Sequence, residues 1–215
     1  MNKNLLKRIY TSIILLLVLL FSLFFHKYSW LLLLIIASTI SFIEFKDIVK
    51  KIWKRKKVTI IFVNLISFFY LIFFTYSAFD FSKSKEAMLY ILLVCIFSDI
   101  GGYAVGKTIG GKKLTKISPN KTISGSIGSF LFSLIPCFLI FLFEISIANL
   151  YKIVFLTLIL SFISQVGDLF ISYFKRKSKI KDTGKLLPGH GGLLDRIDGI
   201  IFVVPAAFIL DKIFY

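Results

Sequence analysis

Apolar runs recur from one end of this 215-residue chain to the other. They restrict its fold more than any other feature. Runs at 9–25, 28–43, 58–79, 87–106, 126–148, 150–173 and 193–214 approach or reach the ~20 residues that a helix needs to cross bilayer hydrocarbon. The expected fold is therefore all-α: a polytopic membrane protein of about seven transmembrane helices. The run at 28–43 is the weakest and is compatible with a re-entrant pair with the first. Composition agrees, since 57% of residues are hydrophobic, 25 of them Phe, and mean hydropathy is +0.87. That is too apolar for an ordinary soluble domain. The first run does not read as a lone secretory leader, because more runs follow and no small-residue cleavage site stands out. No repeat or separate soluble domain is visible. A single membrane domain is expected, with 1–86 as scaffold helices and 87–215 carrying the polar motifs.

The formal net charge is +16. Its placement argues against nucleic-acid binding, because the cations cluster between apolar runs. Lys and Arg number 22 on one set of alternate joints (the N-terminus, 44–57, 107–125 and 174–196) and 5 on the other (Lys27, Lys83, Lys85, Lys152 and Lys212). Such a bias sets orientation, with the richer side cytoplasmic. The N-terminus is expected inside and the C-terminus outside, in a cell inner membrane. The run "KKIWKRKK", Lys50 to Lys57, reads as an anchor on anionic lipid. Cys95 and Cys137 both lie in apolar runs and read as buried thiols.

The stretch "GGYAVGKT", Gly101 to Thr108, satisfies GxxxxGK[ST]. A true phosphate loop follows a strand and opens a helix. Here the preceding "MLYILLVCIFSDI" is an apolar helix, so the glycines read as close helix packing and an exit turn.

Acids inside spans are costly and point to function. Asp99, Asp168, Asp195 and Asp198 all fall toward the cytoplasmic third in this topology. Asp195 and Asp198 are three apart, on one helix face. Four carboxylates at one depth repel unless cations neutralise them, and hard oxygen ligands suit Mg²⁺. Pairing with Lys175, Arg176 and Arg196 is the structural alternative, and a proton or ion path the other functional one. Glu44, Asp47 and Glu144 read as ordinary interfacial acids, and His26 as a bland loop residue.

Two inner loops flank these acids. The 107–125 segment carries five lysines, with hydroxyls at Thr115, Ser118, Thr122 and Ser124 and several glycines. Flexible backbone amides, ammonium groups and hydroxyls suit a polyphosphate. The second, "KRKSKIKDTGKLLPGHGGLLDRID", places Gly189, Gly191 and Gly192 around His190, directly before the acidic helix. His190 reads as a ligand contact, with general base, phosphate donor and structural hydrogen bonder all open. Together these point to chemistry between a nucleotide and a lipid head group.

Residues 172–198, "SYFKRKSKIKDTGKLLPGHGGLLDRID", resemble the signature of the phosphatidate cytidylyltransferases, or CDP-diacylglycerol synthases. The matching positions are Ser172, Lys175, Arg176, Lys181, Asp182, Pro188, His190, Gly191, Gly192, Asp195, Arg196 and Asp198. The upstream "SDIGGYAVGKTIGGKKLTKISPNKTISG" and the "GDLFIS" at Gly167–Asp168 are similar to further elements of that family. The resemblance covers about residues 90–200. It departs where Ile123 and Ser124 stand before Gly125 and where Ile171 precedes Ser172.

The resemblance implies that CTP and phosphatidic acid give CDP-diacylglycerol and pyrophosphate, with Mg²⁺. It implies metal ligation by Asp99, Asp168, Asp195 and Asp198. Ser118, Lys121, Thr122, Gly191 and Gly192 would hold the nucleotide. Lys175, Arg176 and Arg196 would steer the lipid phosphate or the nucleotide, with His190 beside them. Membrane lipids are expected partners and a homodimer is left open. Among rivals, a transporter predicts acids nearer the midplane. A CDP-alcohol phosphotransferase needs Asp-Gly-x-x-Ala-Arg, but Asp198-Gly199 is followed by "IIFV". A related enzyme acting on another lipid phosphate is harder to separate, because apolar spans read lipid tails without a signature.

Overall fold

The computed structural model describes the backbone of residues 3–141 and 147–214 and the side chains of 10–139 and 150–213. Its helices are α1 (Lys3–Phe25), α2 (Lys27–Ile52), α3 (Lys57–Phe81), α4 (Lys85–Thr108), α5 (Ile123–Phe141), α6 (Ile147–Lys177), α7 (Leu194–Ile197) and α8 (Ile200–Phe214). Among the described residues no strand forms, and β pairing is limited to isolated bridges at Lys113–Thr122 and Leu187–Gly191. The all-α class is as expected.

The helices are longer and more interrupted than hydropathy suggests. α2 does not stop near residue 43. It starts at His26, whose Nδ1 accepts the Tyr28 N–H at 3.3 Å, and runs to Ile52, with Lys50 and Lys51 in the last turn. Cations there face the negative end of the helix dipole. The expected joint at 44–57 thus contracts to 53–56. The seventh run is also not one helix: α7 and α8 are separated at Asp198–Gly199. Part of the fifth run, 142–146, lies outside the described residues, as does Glu144. Among the residues whose side chains are described, the helices long and apolar enough to cross a membrane are α3, α4 and residues Leu150–Lys177 of α6, and the apolar stretches Tyr10–Phe25 and Ile123–Leu139 belong to α1 and α5. α8, at 15 residues, is only ~22 Å long and short of a ~30 Å hydrocarbon core.

The chain forms two compact units. One contains residues 1–85 and 174–198: α1, α2, α3, the end of α6, and the loop through α7. The other contains 86–173 and 199–215: α4, α5, most of α6, and α8. The signature segment 174–198 therefore packs with the N-terminal helices.

In the first unit Trp30, Leu34, Ile48, Val49, Leu71 and Phe74 are buried. The Trp30 Nε1–H donates to the Ala78 carbonyl at 3.2 Å, and the Ser38 and Thr75 hydroxyls pair at 2.7 Å. These bonds let α2 and α3 bury polar groups without penalty. Phe174 meets Phe45 and Trp53, and the Lys177 ammonium lies over the Trp53 ring.

In the second unit the glycines set the spacing of α4 and α5. A Cβ on Gly101 would lie 2.4 Å from the Gly128 carbonyl oxygen and 2.5 Å from Phe132 Cβ. One on Gly125 would lie 2.8 Å from the Gly102 carbonyl. The "GGYAVGKT" stretch is the end of α4, and Lys107 donates to the Tyr103 hydroxyl at 3.3 Å. It is a helix-packing surface, as its apolar context predicts. Ser98 pairs with Ser161 at 3.0 Å, and the Tyr90 hydroxyl pairs with Thr157.

Candidate active site

The signature segment winds around one carboxylate. Asp195 sits in the single turn of α7 with its side chain only 4% exposed. Its Oδ1 accepts the Lys175 ammonium at 2.7 Å. Its Oδ2 accepts the Thr183 N–H at 2.7 Å, the Thr183 hydroxyl at 3.0 Å and the Gly192 N–H at 3.1 Å. Three donors, with the Thr183 hydroxyl shared between Asp195 and Glu44, favour the ionised carboxylate against the cost of burial. The turn needs its glycines. Gly189 and Gly191 have φ of 77° and 86°, a region that side-chain-bearing residues rarely adopt. A Cβ on Gly192 would lie 2.1 Å from Thr183 Oγ1.

His190 lies beside this turn, and its Nε2 is 3.2 Å from the Ser12 hydroxyl on α1. Thr11 on the same helix donates to the Pro188 carbonyl at 3.1 Å. Arg196 is exposed and donates to the His190 carbonyl at 3.0 Å, so its guanidinium braces the turn. Arg176 is exposed at the end of α6. Asp198 follows α7 with helical backbone angles. Lys175 and Asp195 are thus brought together, with Gly191, Gly192, His190 and Arg196 around them.

The second unit carries the other motif. Lys121 forms an ion pair with Asp168 Oδ2, and the Ser172 hydroxyl donates to Asp168 Oδ1 at 3.3 Å. Asp99 is exposed on α4. Thr122, expected at the nucleotide, caps α5: its hydroxyl oxygen accepts the Gly125 N–H at 3.0 Å. This is the helix-start bond favoured by Thr before a run of unpaired N–H groups. Ser124 donates to the Gly110 carbonyl, and the Lys121 N–H donates to the Ser118 carbonyl at 3.0 Å. The loop between α4 and α5 is therefore a closed, bonded turn. A cavity of about 430 Å³ opens beside it, lined by Lys113, Leu114, Thr115, Lys116 and Pro119.

Among the described residues, no group of three or more His, Cys, Asp and Glu side chains is gathered closely enough to hold a metal ion. The carboxylate oxygens of Asp168 and Asp195 are a donor type that suits a hard divalent ion, and in this structure each carboxylate has an ammonium partner.

Residues that the motif reading passed over also enter. Glu44, expected to be an ordinary interfacial acid, is 7% exposed and accepts from Thr183, Leu193 and Leu194. Its signal in the sequence is an acid set among Phe42, Ile43 and Phe45 inside a helix, an environment that demands partners. His26 has the capping role described above.

The sequence profile of the Cytidylyltransferase family matches residues 59–214, which include every candidate site residue named from the motifs. The chain is 44% identical over 131 residues to the phosphatidate cytidylyltransferases of Staphylococcus haemolyticus and Staphylococcus aureus, covering 60% of this chain and 50% of each relative. It is 40% identical over 130 residues to that of Staphylococcus epidermidis, with the same coverage. The chain spans about half the length of the curated relatives it matches. With most of its length inside the family match, the chain belongs to the cytidylyltransferase family.

Proposed function

We propose that this chain is a membrane-embedded phosphatidate cytidylyltransferase, converting CTP and phosphatidic acid to CDP-diacylglycerol and pyrophosphate. The observation that supports it best is a pair of lysine–aspartate contacts, Lys121–Asp168 and Lys175–Asp195, both inside the family-matched region. In the reaction a phosphatidate oxygen forms a bond to the α-phosphorus of CTP. The bond from that phosphorus to the α,β-bridging oxygen breaks, and pyrophosphate leaves with the electron pair. The lipid phosphate is already ionised near neutral pH, so no strong general base is needed.

The chain's own residues supply charge and position. Lys113, Lys116 and Thr115 around the loop cavity, with Lys121 and Ser118, have the chemistry to bind a triphosphate. Thr122 contributes by fixing the start of α5. Lys175, Arg176 and Arg196 attract the lipid phosphate. The Gly191–Gly192 turn lets backbone approach the ligand, with His190 beside it. The carboxylates proposed as Mg²⁺ ligands are Asp99 and Asp168 in one unit and Asp195 and Asp198 in the other. That ion, when bound, would offset the negative charge of the reacting phosphates. The site would face the cytoplasm, in a topology of seven spans with the N-terminus inside.

The test uses purified protein in detergent with phosphatidic acid and labelled CTP, with and without Mg²⁺, and with ATP, GTP and UTP in parallel. Label should enter the lipid phase from CTP alone and only with Mg²⁺ and phosphatidic acid. Asp198→Asn should remain folded and lose that transfer. Lipid labelling that is indifferent to the nucleotide, or an Asp198→Asn protein as active as wild type, would contradict the assignment.

A further inference from the structure

Glu44 lies on α2, before the first family-matched residue, and its carboxylate is fully engaged by the signature segment. Oε1 accepts the Leu193 N–H at 3.0 Å. Oε2 accepts the Leu194 N–H at 2.9 Å and the Thr183 hydroxyl at 2.8 Å. The first two donors are N–H groups at the start of α7, where helix geometry leaves them without backbone acceptors. Thr183 links Glu44 to Asp195, because its hydroxyl faces both carboxylates while its N–H donates to Asp195. Glycines permit the approach. A Cβ on Gly184 would lie 2.4 Å from Glu44 Oε1, and one on Gly192 would lie 2.4 Å from Oε2 and 2.6 Å from the Gly184 nitrogen. A buried charge with two amide donors and a shared hydroxyl aimed at it fixes them in space, since the two amides would otherwise be left unsatisfied away from water.

The geometry points to Glu44 as a positioning residue for cytidylyl transfer. It holds both the 182–184 segment of the signature loop and the first turn of α7, so that Asp195, Lys175 and the Gly-His-Gly-Gly turn keep one arrangement. It acts through the loop and touches no reacting atom. Its role in turnover rests on the cytidylyltransferase reading; its hold on the loop does not.

Two readouts separate these. The full chain in detergent is compared as wild type, Glu44→Gln and Thr183→Val, with kcat and KM for CTP normalised to folded protein. Amide hydrogen exchange is followed in peptides covering 183–196. Gln keeps the size of Glu but turns one acceptor into a donor facing donors. Displacement of a site by about an ångström lowers turnover by about a hundredfold. Glu44→Gln should therefore lower kcat about a hundredfold, leave KM within about threefold, and speed exchange at Leu193 and Leu194 at least about tenfold. Thr183→Val, which leaves the two amide bonds in place, should show the same pattern at about a tenth of the size. If Glu44→Gln does not fold, Thr183→Val decides. Normal kcat per folded molecule in either folded variant overturns the positioning role, even if its melting temperature falls. Unchanged exchange overturns the hold on the loop. A wild-type chain without transfer activity sinks the enzymatic reading, and the exchange result still decides whether Glu44 orders the loop.

Discussion

Asp195 accepts three hydrogen bonds of its own on two oxygens and shares the Thr183 hydroxyl with Glu44, and among the described residues Lys175 is its cationic partner. Removing one member of a buried pair leaves a charge without compensation, at a cost on the order of 3 kcal/mol. Lys175→Met should lower the melting temperature of the detergent-solubilised protein measurably. Arg196→Ala removes only an exposed bond to a carbonyl and should stay within about 1.5 kcal/mol of wild type. Thermal unfolding of both variants checks the contrast. At this scale the sequence is informative about which acids matter and less so about how. The motif marks Asp195 and Lys175, and their contact, across a sequence separation of 20, follows from the chain folding back between them. Glu44 is not legible in the same way. An acid near a basic helix end usually meets water, and only the tertiary fold brings donors to it 139 and 150 residues away.

Among the helices, the α4–α5 contact makes the sharpest demand on side-chain size. At Gly101 an added methyl would strike the Gly128 carbonyl and Phe132 Cβ, neither of which can swing aside. At Gly102 it would meet the Ser129 hydroxyl at 2.6 Å, the end of a rotatable side chain. Gly101→Ala should therefore destabilise by about 1–3 kcal/mol, as overpacking does, and Gly102→Ala by clearly less. Melting temperatures of the two variants give the order. Small residues at these positions are readable in the sequence as a packing surface, and the apolar run before them rules out a phosphate loop. Helix ends are less readable. Hydropathy falls at Glu44, Lys46 and Asp47, which suggests that α2 stops near 43. The helix continues because Phe45, Ile48 and Val49 remain buried and Glu44 is satisfied. The break between α7 and α8 escapes hydropathy because both flanks are apolar. It falls where Gly199 passes close to α6, a Cβ there lying 2.5 Å from the Ser164 hydroxyl and 3.4 Å from the Ser164 carbonyl oxygen.

For the molecule as a whole, the distribution of cations carries the orientation argument. Lys54→Cys should react with a membrane-impermeant maleimide from the cytoplasmic side only, and Lys83→Cys from the opposite side only. Cys95 and Cys137 are each 3% exposed, so background labelling should be small. Equal labelling from one side would refute the proposed topology. The hold of α2 on the signature loop also has a consequence for the order of assembly. Loops closed across 139 and 150 residues form late, because the entropy lost on closure must be met before the contacts compensate it. During synthesis α2 leaves the ribosome long before Thr183 and Leu194 exist, and its acid must wait for them. The signature turn is thus among the last parts to become ordered. A fragment beginning at residue 59 would carry every family-matched position yet lack the side chain on which that turn closes.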